Sequence, residues 1–220
     1  MKGLRPFYVV AALLLTGTAG LAQENQPTQP YQPGQQAPGA FRDATYRRHL
    51  GFYIRPDLGF GYMNSDENGV SLHGLAVVSG VAIGGALQEN SILAAHFFNA
   101  TIYNPTVSSG GFSSSTSDSS WAMFGFGPQY TYYFMPSNMY LSTTLGLTRM
   151  HSSTNSGSGD SDWGFGMRLS LGKEWWVGDH WGLGAVGHFG LSTNQDPTGS
   201  NSSNTLTSWN FGVAFSATYN

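Results

Sequence analysis

The sequence predicts an all-β fold: an eight-stranded antiparallel up-and-down transmembrane barrel, closed between its first and last strands. Three observations carry this. Apolar and small or polar side chains alternate with period 2 in segment after segment. The connections between segments alternate long with short. The composition is 14% aromatic and 10% charged, with Gly 30, whereas a soluble domain carries about a quarter charged residues. A strand with one face in lipid and the other in a crowded interior needs that mixture. A secreted Gly-rich sandwich could share the composition, but it has no reason to collect its long loops at one end.

Residues 1–22 begin with Lys2 and Arg5, continue through the apolar run of residues 7–15 and end in Gly20-Leu21-Ala22. This pattern predicts a cleaved export signal, because an apolar core of about nine residues is too short to span a bilayer as a helix. The chain has no Cys, which excludes a lipoprotein anchor. Removing Lys2 and Arg5 leaves seven bases against twelve acids, a net charge of −5. That balance gives no motive for a nucleic-acid partner. Residues 23–46, rich in Gln and Pro, predict a flexible periplasmic tail, and residues 47–220 the barrel. No later stretch reaches eighteen apolar residues, so no transmembrane helix is predicted.

The first strand places Phe52, Ile54, Pro56, Leu58, Phe60 and Tyr62 on one face and Tyr53, Arg55, Asp57, Gly59 and Gly61 on the other. Pro56 lacks a ladder donor, so a bulge or unpaired position is expected there. The second strand covers residues 72–83 and the third residues 91–103; the third is assigned from length and position, because its alternation is the least clean. The fourth puts Phe124, Phe126, Pro128, Tyr130, Tyr132 and Phe134 outward. Leu141, Leu145 and Leu147 mark the fifth, Trp163, Phe165, Leu169 and Leu171 the sixth, and Trp181, Leu183, Phe189 and Leu191 the seventh. The eighth, residues 205–219, turns Trp209, Phe211, Val213, Phe215 and Tyr219 outward and keeps Asn210, Gly212, Ala214 and Ser216 inward. Small residues on that inner face leave room for bulkier groups from other strands. Longer loops follow the first, third, fifth and seventh strands, and tight turns follow the others, so both barrel ends fall on the short-turn side.

With the export signal, the loop alternation and the terminal strand carrying Gly212, Phe215 and Tyr219, residues 47–220 resemble the small eight-stranded outer-membrane barrels of the OmpA/OmpX-like group. The resemblance implies an outer-membrane location with both barrel termini periplasmic. It also implies contact with outer-membrane lipid and lipopolysaccharide, and recognition by the barrel-assembly machinery. In that group the final residue is usually aromatic; here the order is Tyr219-Asn220.

Two aromatic girdles are expected at the membrane interfaces, formed by Phe52, Tyr62, Tyr132, Phe134, Trp163, Trp175, Trp181, Trp209 and Tyr219. Inside, Arg55, Asp57, Arg168 and Glu174, with His188 nearby, form a lumen charge network. Buried charges must pair, and Arg55 with Glu174 or Asp57 with Arg168 are the expected pairs. Eight strands enclose a side-chain-filled interior, so the lumen should be plugged. The loops hold Asp66, Glu67, Asp118, Asp160, Asp162 and Asp196. Asp160-x-Asp162 is too short for a Ca²⁺ motif, and no metal or cofactor site is expected. His188 and Ser192 share one face but stand about 13 Å apart along a strand, too far for proton transfer. The sequence therefore points to a monomeric, non-enzymatic envelope or surface protein. A small-solute channel or porin-like transporter is the first alternative, and a lipid-modifying enzyme the second.

Overall fold

A computed structural model describes residues 48–196 and 204–220; the expected export signal and the whole of the expected tail lie outside them. The strands are β1 (Phe52–Glu67), β2 (Val70–Gln88), β3 (Ser91–Tyr103), β4 (Thr106–Ser109), β5 (Phe112–Ser115), β6 (Ser120–Phe134), β7 (Met139–Thr154), β8 (Gly157–Asp160), β9 (Gly164–Trp176), β10 (Trp181–Asp196) and β11 (Asn204–Tyr219). Eight of them close a barrel in the order β1-β2-β3-β6-β7-β9-β10-β11, every pair antiparallel, with β11 returning to β1. Closure leaves no unpaired edge in the wall, which hydrocarbon demands. The barrel strands run from 13 to 19 residues, more than the 9–11 or so that cross a bilayer when tilted.

The surplus lies on the long-loop side, where the structure departs from the expected loops. After β1 the chain reverses in a two-residue turn, Asn68-Gly69, with φ of 51° and 78°. Both positive values match the turn that joins twisted strands most easily. The Ser-rich segment after β3 folds into the β4–β5 hairpin, turning at Gly110-Gly111, and β4 pairs with the upper end of β2. The segment after β7 pairs back onto it as β8. Ser and Gly between turn signals had suggested loops; backbone pairing to strands that already overshoot the membrane makes them sheet.

Pro56 produces no bulge. The β1–β11 register before and after it is continuous, Ile54 opposite Tyr219 and Asp57 opposite Ser216; only the pairing between them is missing. Pro128 interrupts β6–β7 in the same way, between Phe126–Leu147 and Gln129–Thr144. Each proline costs its neighbour a donor at one point without shifting the ladder. β3 alternates cleanly in the structure, with Ile92, Phe98 and Ile102 buried inside and Leu93 and Phe97 outside. Its pattern was hard to read because both of its faces are apolar.

The interior is built asymmetrically. Large inward side chains lie over glycines on the neighbouring strand: Phe98 over Gly125, Tyr140 over Gly172, Glu174 over Gly184 and His188 over Gly212. Glycine here is a socket, since a Cβ at each position would collide with the side chain that covers it or be pressed against it.

Candidate functional site

Inward positions of all eight barrel strands meet in the lumen, which is filled in three layers. The layer nearest the short turns is aromatic. His49, just before β1, tucks into the mouth and stacks on Tyr133 with ring centroids 3.5 Å apart. Its Nε2 lies 2.7 Å from Asn138 Oδ1 and its Nδ1 lies 3.1 Å from Asn220 Oδ1. Tyr219 keeps the outward parity of β11, so Asn220 turns into the mouth. Above this clasp, Tyr133 donates to Glu174 Oε1 at 3.1 Å and Thr218 donates to the same oxygen at 2.6 Å, while the Tyr53 and Tyr133 hydroxyls stand 3.2 Å apart.

The middle layer carries the charges. Arg168 Nη2 meets Asp57 Oδ1 at 3.4 Å, both groups almost fully buried. No ion pair joins Arg55 to Glu174, contrary to expectation. The Arg55 guanidinium sits 4.4 Å from the Tyr140 ring centroid and donates to Gln129 Oε1 at 3.1 Å and to Ser142 Oγ at 3.4 Å. Glu174 is served by hydroxyls in the layer below. Two flat rings, Tyr53 and Tyr140, beside the guanidinium draw it sideways by cation–π attraction.

Arg55 also orders its neighbours. As a pure donor it holds Gln129 with Oε1 towards it, so Gln129 Nε2 donates to His96 Nδ1 at 3.0 Å. A nitrogen that accepts carries no proton, which leaves the neutral His96 protonated at Nε2. His188 is buried in the same layer, and neither of its ring nitrogens has a hydrogen-bond partner among the described residues.

The layer nearest the long loops is apolar. Met63, Met123, Met150, Ile102 and Leu206 are all buried there. Trp121 lies over them, donating from Nε1 to Ser65 Oγ at 2.9 Å, and Ser208 Oγ donates to the same oxygen at 2.8 Å. The buried Asp57–Arg168 ion pair therefore belongs to one layer of three. Parity in the sequence placed these residues inward, but no local signal marked His49, which precedes any strand, or singled out the methionine layer.

The outer wall carries the expected aromatics in two belts. Tyr62, Trp163 and Trp209 stand on the long-loop side, with Tyr62 and Trp209 ring centroids 5.7 Å apart. Phe52, Tyr132, Phe134, Trp175, Trp181 and Tyr219 stand on the short-turn side, Trp181 and Tyr219 5.3 Å apart. Between them the wall exposes Leu58, Phe60, Phe189, Val213 and Phe215. An apolar band bounded by amphipathic rings is what a bilayer selects. Among the described residues no helix is long and apolar enough to cross a membrane; the crossing is made by strands.

Beyond the long-loop belt, Asp160 on β8 accepts from His151 at 2.7 Å and pairs with Arg149 at 3.4 Å. The His151 hydrogen bond, followed by Arg149, holds the Asp160 carboxyl below its ordinary value. The acidic rim thus has basic partners at this point, brought by β7. Asp66 and Glu67 fall at the β1–β2 tip; Asp118 and Asp162 lie in connections, and the Asp196 side chain is outside the described residues. Among the described residues no group of three potential ligands gathers for a metal.

No family model matches this sequence, and no curated protein matches it. Solved structures do. Neisserial surface protein A superposes with a TM-score of 0.57 at 13% identity, over 77% of this chain and 96% of that one. The attachment invasion locus protein Ail of Yersinia pestis gives 0.41 at 8% identity, over 76% and 99%. The outer membrane protein OprG from Pseudomonas aeruginosa gives 0.43 at 12%, over 79% and 98%. The first of these likenesses is a likeness of fold: the chain folds as a closed eight-stranded antiparallel β-barrel of the membrane-spanning kind.

Proposed function

We propose that this outer-membrane barrel is a non-conducting, non-enzymatic envelope protein, with its long-loop end outside the cell and available for surface contacts. The observation that carries the reading is the lumen, obstructed in succession by the His49–Tyr133–Glu174 layer, the Arg55–Arg168 layer and the Met63–Met123–Met150 layer. A small-solute channel needs a continuous water path lined by its charges, whereas Asp57 and Arg168 neutralise each other across the middle of this one.

The same obstruction argues against hydrolysis. His188 and Ser192 are both buried inside β10 and share no hydrogen bond. His96 is engaged by Gln129 and Thr144. His151 is exposed beside Asp160, but Ser152 next to it donates to the Gly159 carbonyl. A nucleophile needs a base in hydrogen-bond reach; of these three histidines only His96 meets a hydroxyl that way, Thr144 at 2.8 Å, and both are buried in the obstructed lumen. What extends outward is β-structure. β1 runs five residues past Tyr62 to Glu67, about 16 Å of strand at 3.3 Å per residue. Such a projection, paired with β2 and β11, suits contact with another surface.

Planar-bilayer recordings on the refolded full chain test the reading, together with lipid A mass in cells with and without the protein. Silence in the first and no change in the second are expected. Large stable conductance steps, or a changed lipid A mass, overturn it.

A further inference from the structure

One glycine in the barrel wall has no internal reason to be glycine. At Gly187, on β10, an added Cβ would meet nothing nearer than the Leu171 and Gly212 carbonyl oxygens, at 3.9 and 4.0 Å. Every other described glycine in the eight barrel strands would press its Cβ to 3.2 Å or closer against a neighbour. Gly187 faces outward, by the parity of Ala185 and Phe189, and lies opposite Leu171 on β9 and Val213 on β11. Its missing side chain forms the floor of a groove of about 820 Å³. Phe60, Phe189, Phe211, Leu171 and Val213 wall it, and it reaches Tyr62 in the long-loop belt.

From this geometry we infer that the Gly187 groove is a seat for one acyl chain of lipid A, entered from the long-loop leaflet. Its occupant must be hydrocarbon, because the groove lies between the two aromatic belts and its walls are apolar side chains. The apolar ridges on either side, Val213 on β11 at 70% and Leu171 on β9 at 54% exposed, leave a chain-width recess between them. A chain lying in it gains contact on three sides, where the rest of the wall offers one, and dispersion rises with each added contact. The Tyr62 end sets the leaflet. With the long loops outside, that leaflet is the one built of lipopolysaccharide. The inference rests on the membrane reading proposed above.

Gly187→Leu is a clean probe, since the space it enters is empty of protein and the backbone needs no change. Ala95→Leu, which adds a similar bulk to the outer face of β3, is the control. Native mass spectrometry of the refolded full chain, with lipid A and, separately, a palmitoyl-oleoyl phosphatidylethanolamine, reads the bound lipid. The native chain and Ala95→Leu should each retain one lipid A, and Gly187→Leu should retain it about tenfold less, a difference of about 1.4 kcal/mol. Equal retention in all three overturns the seat, and preference for the phospholipid overturns the leaflet. A dimer of the native chain that Gly187→Leu abolishes would assign the groove to a second copy instead. If no variant holds any lipid, the membrane reading itself fails.

Discussion

The Tyr140 ring occupies the space where Gly172, its direct partner across the β7–β9 ladder, would carry a Cβ. The same ring lies 4.4 Å under the Arg55 guanidinium. One glycine thus seats the tyrosine that in turn holds a buried cation. Phe98 over Gly125 repeats the arrangement in the adjacent β3–β6 pair and lies 5.6 Å from Arg168. An aromatic ring laid over a cross-strand glycine shields exposed backbone and pins register at once.

Gly172→Ala and Gly125→Ala should therefore each destabilise the barrel by about 1–3 kcal/mol through overpacking. Gly187→Ala, with open space around it, should change stability by no more than about 0.5 kcal/mol. Urea unfolding and refolding in detergent or lipid measures all three. Equal effects at the three sites would refute the socket assignment.

Asp57 and Arg168 have little other means of balancing charge in the middle layer. Asp57→Asn leaves Arg168 buried without its counter-ion and should cost about 3–5 kcal/mol. Replacing the pair together, Asp57→Asn with Arg168→Met, should cost less than the single change, because no uncompensated charge remains. A double-mutant cycle gives the coupling; additive effects would mean that the 3.4 Å contact contributes nothing.

His49→Ala removes the stacked ring from Tyr133 and the contacts to Asn138 and Asn220. Faster amide exchange at Asn90 and Asn220 is expected, since Asn90 N–H bonds the His49 carbonyl and Asn220 loses its tie. No conductance should appear, because two layers of the plug remain. Exchange mass spectrometry and bilayer recording read the two consequences separately.

The chain has six tryptophans, and the wall and the lumen predict different environments for them. Trp163, Trp175, Trp181 and Trp209 stand in the belts, and Trp121 hydrogen-bonds Ser65 inside the mouth. In single-tryptophan variants, lipids brominated near the headgroup should quench the four belt residues and spare Trp121. Quenching of Trp121 comparable to that of Trp181 would contradict its placement.

The hydrogen bond from His151 predicts a depressed Asp160 titration. A carboxyl whose folded value is lowered adds stability that is complete above its unfolded value and is lost as pH falls through the folded one. Carbon-detected NMR titration of the Asp160 carboxyl should give a midpoint below the ordinary aspartate range, returning to that range in His151→Ala. The site is exposed, so the effect is local to the β7–β8 hairpin.

Side-chain direction was readable because it is a local property of an extended chain. Period 2 sent Arg55, Asp57, Arg168, Glu174 and His188 inward and Phe52, Tyr62, Trp181 and Tyr219 outward; the structure buries the first five and exposes Phe52 and Trp181, with Tyr62 and Tyr219 half-buried. Pairing was less readable. The sequence offered two charge pairs and the geometry made one, since Tyr53 and Tyr140 draw Arg55 away from Glu174. The loops were misread because Ser and Gly leave no pattern to show that a neighbouring strand will overshoot and accept them as partners.

By itself, then, the sequence determined an alternating, low-charge barrel wall with aromatic ends, since each residue's face depends only on its parity. Only the tertiary structure decided who meets whom in the lumen. Asp57 and Arg168 are 111 positions apart, and His49 meets Asn220 across 171. Those meetings depend on the stagger accumulated over eight ladders and on which side chains are long enough to reach across. Neither quantity is written in any single segment.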